Sequence, residues 1–353
     1  MLRTHTLLVL KNIFLILLFA FISEEFFFDA YRVAAFNITP HDSNYVEYIL
    51  YFMGELTSPP ESPFYYRIIS VLIALPLVDL LPFFKFSALP ADISDAHLKA
   101  IQALSFVTYV AAIITSILCY KITRSRFHAS ESTAIVVLFI TMILLRHTMI
   151  QGIDVISVML ICLILYYINN KFIYSTLILL SIGLNEKVVM IFFILLWARF
   201  IFNHDRRLLL QLVITTFALL IYFIMIKYVF PHAGGSGLTD TSMFLDTFKV
   251  AITRSFSIKG IILNVLPFMF LLVLYFMARE ENKRPLINNS TYFSNTDVLV
   301  LLSLFFIGHI LAPIIFNIGR IVMYTFPFYL PLATLYFIRI LDNTGAERNV
   351  ELT

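Results

Sequence analysis

Charged residues are scarce in this sequence, and their scarcity excludes a soluble globular domain. Asp, Glu, Lys and Arg make up 13% of the 353 residues, whereas hydrophobic residues make up 60% and the mean hydropathy is +0.90. A surface built from this composition would have too little polar area to remain in water. The composition therefore predicts an all-α, polytopic transmembrane helical bundle.

Cysteine and concentrated positive charge are also sparse. The two cysteines, Cys119 and Cys162, both lie inside apolar runs, so we interpret them as small core residues rather than as a disulfide or metal pair. The net charge of +3 is spread over the loops without a basic block, so it predicts no nucleic-acid partner. His41 and Asp42 alone do not make up a metal site, and the sequence predicts no metal and no cofactor.

The sequence also lacks internal repeats, low-complexity tracts and any polar linker that would divide it. We therefore predict a single domain over residues 1–353. A glycine-rich stretch at 234–237 lies in a loop at 230–259, but it lacks the preceding strand and the Gly-Lys-Ser/Thr ending of a phosphate-binding P-loop. This loop on the predicted outer face is either a mobile lid or a plain connector.

Several apolar runs are long enough to cross a membrane. A helix needs about 20 apolar residues to cross about 30 Å of hydrocarbon. The uninterrupted runs of about this length are 7–28, 101–120, 133–150, 152–169, 207–229, 260–278, 297–316 and 321–340.

Two further apolar stretches are interrupted. Residues 68–86 contain two prolines and an aspartate, which is typical of a broken or re-entrant helix. Residues 172–202 are interrupted by a polar sequence at 183–187 and are predicted to form two short arms, 172–184 and 187–202. With these segments included, the bundle is predicted to have about 10 spans.

Basic loops orient these segments, because positively charged loops remain in the cytoplasm. If 68–86 re-enters and 172–202 forms two arms, the basic clusters all fall on the cytoplasmic side, as do both termini. If each stretch crosses the membrane once, the basic residues at 121–126 face outside, so we prefer the first arrangement. The first apolar run has no small-residue cleavage site, so it is predicted to remain as an uncleaved span of a bacterial inner membrane.

A polar stretch at 24–67 is predicted to form a long loop on the outer face. It carries seven acidic residues, two basic residues and six tyrosines. Residues 40–56 within it are predicted to form a short interfacial helix that begins at Asp42 or Ser43. The apolar face of that helix is predicted to consist of Tyr45, Ile49, Phe52 and Leu56.

Candidate functional residues lie at both ends of this stretch. Asp29 follows the first span, where a partly desolvated carboxylate can act as a general base, and Asp42 is the second candidate. An interfacial anchor is the alternative for Asp29. Tyr65, Tyr66 and Arg67 are candidates for substrate binding, because a guanidinium can hold a phosphate while the phenols stack on a sugar. An aromatic belt with a snorkelling arginine is their alternative interpretation.

Ionisable residues also lie within or beside apolar runs on the predicted outer face. An intramembrane acid and base such as Glu186 and Lys187 are costly unless they pair or serve a polar cavity. They are therefore either a structural pair or substrate-binding residues. The other candidates for substrate binding are Arg146, Asp154 and Arg320, although Asp154 also fits the role of a helix N-cap.

The order of these motifs resembles the GT-C class of integral-membrane glycosyltransferases, which use sugars linked to lipid phosphates. The matching pieces are FFFDAYR, PFYYR, QGIDVISVMLICLILYYINNK, LILLSIGLNEKVVMIFFILLW and GRIVMYTFPFYLPLA. The resemblance implies that the loop acid, Asp29 here, acts as a base or orients the acceptor, and that outer-face basic residues hold the donor phosphate. The chain differs from some members of the class in having one acid at this point where they have two.

These patterns together predict a membrane glycosyltransferase that moves a sugar from a polyprenyl-phosphate-linked donor to a lipid-linked glycan or another envelope acceptor. A polysaccharide polymerase of the O-antigen type is the neighbouring alternative. A transporter or flippase for a lipid-linked or anionic substrate is the alternative from another class, with charged residues of broken helices as a midplane relay. The predicted partners are the donor, the acceptor and membrane lipid.

Overall fold

The computed structural model describes the chain in several stretches. These are residues 13, 16–21, 23–36, 44–57, 68–85, 93–149, 153–204, 206–225, 228, 324, 327, 328, 330 and 334. All regular secondary structure within these stretches is helical. The prediction of an all-α fold is therefore confirmed for this part of the chain.

Ten α-helices begin and end within the described residues, and they occur in the order of the predicted spans and loops. They are α1 Glu24–Phe36, α2 Asn44–Phe52, α3 Ile69–Ala74, α4 Leu77–Leu80, α5 Asp95–Arg126, α6 Glu131–Met149, α7 Ile153–Tyr166, α8 Lys171–Leu184, α9 Glu186–Asn203 and α10 Leu209–Ile224. A short 3₁₀ helix, Arg206–Leu208, leads directly into α10.

Two helical segments, Asp95–Ser125 and Arg206–Ile224, are long and apolar enough to cross a membrane. They contain most or all of the predicted spans 101–120 and 207–229. Shorter apolar helices occupy the other described candidates: Ile69–Leu80, Glu131–Leu145, Val155–Tyr166 and Lys171–Leu184.

The remaining predicted spans fall largely or wholly outside the described residues. This applies to 260–278 and 297–316, to most of 321–340 and to the beginning of 7–28, and the loop at 230–259 lies outside them as well. The described positions within 321–340 are helical and buried.

Both interrupted stretches are broken helices, as predicted. A turn at Leu75–Pro76 separates α3 from α4, since proline has no N–H with which to continue the helix. The pair covers Ile69–Leu80, about 18 Å of helix, which is too short to cross about 30 Å of hydrocarbon. In the second stretch, Asn185 alone separates α8 from α9.

The first part of the polar stretch 24–67 is helical. Helix α1 contains neither glycine nor proline, and the two acids of its first turn suit the positive end of the helix dipole. Asp29 therefore lies within a helix. The buried side chains of α1 recur on one face, as in an amphipathic helix, at Phe27, Ala30, Tyr31 and Ala35.

The short helix predicted within 40–56 is confirmed as α2, which ends at Phe52 before Gly54 turns the chain with a φ of +81°. Of the predicted apolar face, Ile49 is buried, Tyr45 is partly buried, and Phe52 and Leu56 are exposed. The buried positions are Val46, Tyr48, Ile49 and Leu50.

The chain divides into two compact units. The described part of the first unit contains α1 to α4, residues 95–114 of α5, residues 142–149 of α6 and the first residues of α7. The described part of the second unit contains the remainder of α5, α6 and α7, together with α8, α9, α10 and the described residues at 324–334.

In the first unit, side chains of two helices hold the extended segment at Pro82–Phe84. Buried Gln102 of α5 donates from Nε2 to the Pro82 carbonyl oxygen at 2.7 Å, and its Oε1 accepts from the Phe84 N–H at 3.1 Å. The Tyr31 hydroxyl of α1 donates to the Phe84 carbonyl oxygen at 2.7 Å. These bonds satisfy backbone groups that no helix or sheet supplies with partners.

We predict that Tyr31 makes the stability of the protein sensitive to alkaline pH. Burial and the carboxylate of Asp95 raise the pKa of Tyr31 from 10.0 to about 12. Because folding favours the neutral phenol, its contribution to stability is complete below about pH 10 and is lost as the pH rises through about 12. At neutral pH, Tyr31→Phe should lower the free energy of unfolding by about 1 kcal/mol through loss of the hydrogen bond to Phe84.

The measurement is denaturant unfolding of both proteins in detergent, followed by circular dichroism from neutral pH to pH 12. Tyr31→Phe should lose less stability than the wild type above pH 10. Equal losses in the two proteins would contradict the role given to the buried phenol.

Candidate functional site

A buried polar cluster lies at the junction of α8 and α9, in the second unit. Its central residue is Asn185, of which 1% is exposed. The backbone of Asn185 is extended, with φ −167° and ψ 109°, so α8 ends and α9 begins at this single residue. Asparagine suits the position because its short side chain can accept a hydrogen bond from the first turn of the following helix.

Hydrogen bonds engage every polar group of Asn185. Its N–H donates to the Ser181 carbonyl oxygen at 2.7 Å, which caps α8, and its carbonyl oxygen accepts from the Val188 N–H at 3.1 Å. Its side-chain Oδ1 accepts from the Lys187 N–H at 3.2 Å, which caps α9. The break in the helix is thereby achieved without an unsatisfied group on the residue that makes it.

The Asn185 side chain also links two distant parts of the chain. Its Nδ2 donates to Ser157 Oγ of α7 at 2.9 Å and to the Tyr324 hydroxyl oxygen at 3.1 Å. Ser157 and Tyr324 are both buried. Neither was predicted as a site residue, because a serine and a tyrosine inside apolar runs give no signal until the fold brings a partner to them.

Helices α8 and α9 fold back on each other from this junction. The Tyr174 ring, eleven positions before Asn185, lies 6.4 Å from the Phe192 ring, seven positions after it. Phe192 in turn lies 6.1 Å from Phe328. The polar cluster is therefore at one end of a helical hairpin, and the chain entering α8 and the chain leaving α9 are at the other.

The two charged residues predicted for this region, Glu186 and Lys187, are the first two residues of α9. Glu186 is buried, with 6% exposed, and a carboxylate is favoured in the first turn by the helix dipole. Lys187 is partly buried, and its ammonium nitrogen lies 6.0 Å from the centre of the Tyr324 ring, within cation–π range. Successive side chains of a helix point about 100° apart, so the side chains of Glu186 and Lys187 point in different directions.

The second unit contains other buried polar groups away from this junction. The Tyr174 hydroxyl is 2.6 Å from Thr215 Oγ1, and Gln211 Nε2 donates to the Ile168 carbonyl oxygen at 3.0 Å. Arg199 of α9 is also buried, and its charge interacts with Tyr174. Arg199 was not predicted, although an arginine inside an apolar helix is itself a signal of an internal role.

For three of the remaining predicted site residues, the structure describes the backbone but not the side chain. Asp29, Arg146 and Asp154 lie on α1, α6 and α7 within the first unit, and their side chains are outside the described part of the structure. Helix α7 begins at Ile153, so Asp154 is a residue of its first turn rather than the residue that precedes it. The other candidates lie outside the described residues: Asp42, Tyr65, Tyr66, Arg67 and Arg320.

The two cysteines are free and fully buried, which confirms that they are core residues. Their Sγ atoms are 3.8 Å apart, a proximity that the sequence did not reveal. In the described part of the chain, no group of three or more His, Cys, Asp or Glu side chains has the arrangement of a metal site.

Replacement of Asn185 by alanine is predicted to destabilise the protein more than replacement of an ordinary cap. The Asn185→Ala variant loses the cap of α9 and both bonds from Nδ2, which should cost about 2–4 kcal/mol. The matched control is Asn170→Ala, because exposed Asn170 caps α8 with one bond from the Ile173 N–H at 3.2 Å and should cost about 1 kcal/mol.

Denaturant unfolding of the two variants and the wild type in detergent measures the difference. A double-mutant cycle of Asn185→Ala with Tyr324→Phe isolates one bond of the cluster, and we expect the two changes to be non-additive. Equal costs for Asn185→Ala and Asn170→Ala would contradict a central role for Asn185.

No family model matches the chain, and no curated protein or solved structure is significantly similar to it. The function is therefore argued from the residues of the chain itself.

Proposed function

We propose that the chain is an integral-membrane glycosyltransferase that passes a sugar from a polyprenyl-phosphate-linked donor to a lipid-linked glycan or another envelope acceptor. The observation that carries the proposal is the polar cluster at the break between α8 and α9, in which Lys187 is partly buried and Asn185, Glu186, Ser157 and Tyr324 are buried. It joins a carboxylate, an ammonium group, an amide and two hydroxyls inside an otherwise apolar group of helices.

The distribution of side chains on α10 supports a membrane location. Its buried face carries Gln211, Thr215 and Tyr222, whereas large apolar side chains are exposed. A helix in water would present the opposite pattern, while a helix in lipid turns apolar side chains outward. The exposed apolar residues of α10 are Leu209, Leu210, Val213, Phe217, Leu220, Phe223 and Ile224.

The length of α8 supports an active site close to the membrane. Its 14 residues extend over about 21 Å, which is less than the thickness of the hydrocarbon layer. A hairpin that starts at Lys171 on the predicted cytoplasmic side would then bring Glu186 and Lys187 to the depth of the outer leaflet. A lipid-linked donor presents its phosphate near such a depth, so the substrate and the cluster would meet without the donor leaving the bilayer.

Charge supports the assignment of Lys187 to the donor phosphate. During transfer the acceptor hydroxyl attacks the anomeric carbon, the bond to the phosphate oxygen breaks, and negative charge develops on the leaving phosphate. Lys187 and Arg320 are proposed to offset this charge. The hydrogen bond from Asn185 to Tyr324 supports a shared role, because Arg320 is only four positions before Tyr324 in the sequence.

Transfer also needs a base to take the proton of the acceptor hydroxyl. Asp29 is the proposed base and Asp42 the second candidate, while Tyr65, Tyr66, Arg67, Arg146, Asp154 and Glu186 are proposed to bind the substrates. Helix α1 gives Asp29 a fixed backbone position, which suits a residue that has to orient an acceptor.

One observation favours a different class of function, a transporter or flippase. Helices interrupted near their middle by a polar residue, with charges in the first turn after the break, are characteristic of transporter substrate sites. The junction at Asn185 shares the polar residue and the charges in the first turn after it, although α8 and α9 fold back on each other there. The two functions differ in their products, because only a transferase forms a new glycosidic bond.

Mass spectrometry of envelope glycans from cells with and without the gene distinguishes the functions. We expect one sugar to be missing without the gene. Shortened polysaccharide chains would instead indicate a polymerase, and complete lipid-linked precursors retained on the cytoplasmic side would indicate a flippase.

We predict that Asp29→Asn abolishes sugar transfer, by at least about a hundredfold, while the amount of membrane protein stays unchanged. The change preserves the shape of the side chain but removes the base. Asp42→Asn should have a smaller effect, and Asp79→Asn, at an exposed residue of α4, is the matched control that should leave transfer unchanged. A larger effect for Asp42→Asn would indicate that Asp42, and not Asp29, is the base. Full activity of both variants would show that neither acid takes part in transfer.

We also predict that Lys187→Met and Arg320→Met each weaken the use of donor by about tenfold or more, from the loss of a charged contact with phosphate. The double variant should lose less than the product of the two effects, because both groups act on one anion. Lys121→Met, at an exposed lysine of α5, is the control and should behave as wild type.

A structural role for Lys187 leads to a different outcome in the same assays. If Lys187 only neutralises Glu186, Lys187→Met should lower the amount of folded protein, and the combination of Glu186→Gln with Lys187→Met should restore both protein and transfer. Transfer recovered in that neutral double variant would remove Lys187 from the donor site.

A further inference from the structure

A cavity of about 770 Å³ lies at the other end of α8 from the Asn185 cluster, within the second unit. Its walls come from the end of α5, the end of α7 and the first residues of α8. This volume is within the range of small-molecule sites. The length of α8, about 21 Å, separates the cavity from the cluster at Asn185, so the two are independent features.

The wall of the cavity is well defined before any ligand binds. The turn between α7 and α8 is closed by a bond from the Asn170 N–H to the Tyr167 carbonyl oxygen at 2.8 Å. Gln211 of α10 holds the same turn through the Ile168 carbonyl oxygen. The Tyr166 and Tyr167 rings pack edge to face with centroids 4.8 Å apart. A ligand would therefore meet a formed surface, which reduces the entropic cost of binding.

The lining of the cavity is positively charged. Among the described residues that line it, Lys171 carries a positive charge and none is acidic. Lys171 forms no salt bridge with any other residue that the structure describes. It is also the first residue of α8, where the helix dipole adds further positive potential, and a cation at this position is unfavourable unless an anion is nearby. These charges together favour an anionic ligand.

The other lining groups suit the headgroup of a lipid. The amides of Asn169 and Asn170 and the hydroxyl of Tyr167 offer hydrogen bonds to phosphate and glycerol oxygens. Phe172 is 81% exposed beside the cavity, and an exposed phenylalanine at this point suits contact with an acyl chain.

From these observations we infer that the cavity binds the phosphate headgroup of an anionic phospholipid. The predicted topology brings Lys171, Lys121 and Arg124 to the cytoplasmic side, where basic pockets between membrane helices bind such headgroups. The inference does not rest on sugar transfer, because no described residue that lines the cavity is among those proposed to act on the donor or the acceptor.

The test is thermal unfolding of the full-length protein in neutral detergent, titrated with phosphatidylglycerol, with phosphatidylcholine or with inorganic phosphate. Phosphatidylglycerol should raise the unfolding temperature, and the other two should have little effect. Lys171→Gln should increase the phosphatidylglycerol concentration needed for half of the shift by about fivefold. Lys171→Arg should retain the wild-type response, because it keeps the positive charge.

The matched control is Lys85→Gln, since Lys85 is an exposed lysine paired with Asp95 at 2.7 Å and does not line the cavity. It should respond to phosphatidylglycerol as the wild type does. An unchanged response in Lys171→Gln would overturn the inference, as would an equal shift with phosphatidylcholine. An equal shift with inorganic phosphate would assign the cavity to a free anion instead of a lipid. The unfolding temperature of each variant without lipid shows whether the variant is folded.

Discussion

The hydrogen bonds of Asn185 are the interaction on which the organisation of the second unit depends. A helix that stops within an apolar environment leaves backbone groups without partners, and each unsatisfied buried group costs about 1–3 kcal/mol. Asn185 ends α8 and starts α9 while its own polar groups are all bonded. The hairpin, the burial of Glu186 and the position of Lys187 beside Tyr324 all follow from that one residue.

Side-chain bonds also hold non-helical backbone in the first unit. At Pro82–Phe84, which forms no helix, Gln102 supplies a donor and an acceptor. Tyr31 adds a third bond from α1. In both units, therefore, a buried amide side chain bonds to a non-helical position, but this position is buried at Asn185 and exposed at Pro82 and Phe84.

Two groups of polar side chains in the second unit lie at the two ends of α8. The cluster at Asn185 carries an acid, a base and two hydroxyls in a buried setting, which suits chemistry on a charged substrate. The cavity beside Lys171 is open and basic and is lined by aromatic and amide groups. These properties suit the binding of a phospholipid headgroup without a chemical reaction. The proposed transferase would use both kinds of contact, because it would act on lipid-linked substrates while it is surrounded by other lipids.

Local sequence was sufficient to predict the all-helical class, the break at Pro76, the two arms around Asn185 and the burial of the cysteines. Each of these follows from a short-range property, namely hydrophobic length, a missing N–H, or a charge inside an apolar run. The helical state of α1 beyond the predicted span 7–28 was not predicted, because the acidic residues of the stretch suggested a solvated loop, whereas the apolar face of α1 is buried.

Only the tertiary structure identified the partners of the polar residues. Glu186 and Lys187 were recognisable as candidates from the sequence, since charged residues are costly in an apolar run. Ser157 and Tyr324 became part of the site because the fold brings them, from 28 and 139 positions away, to the side chain of Asn185. A hydroxyl in an apolar helix can bond to its own backbone, to a neighbouring helix or to a ligand, and the local sequence is the same in each case. That choice is made by the packing of distant segments.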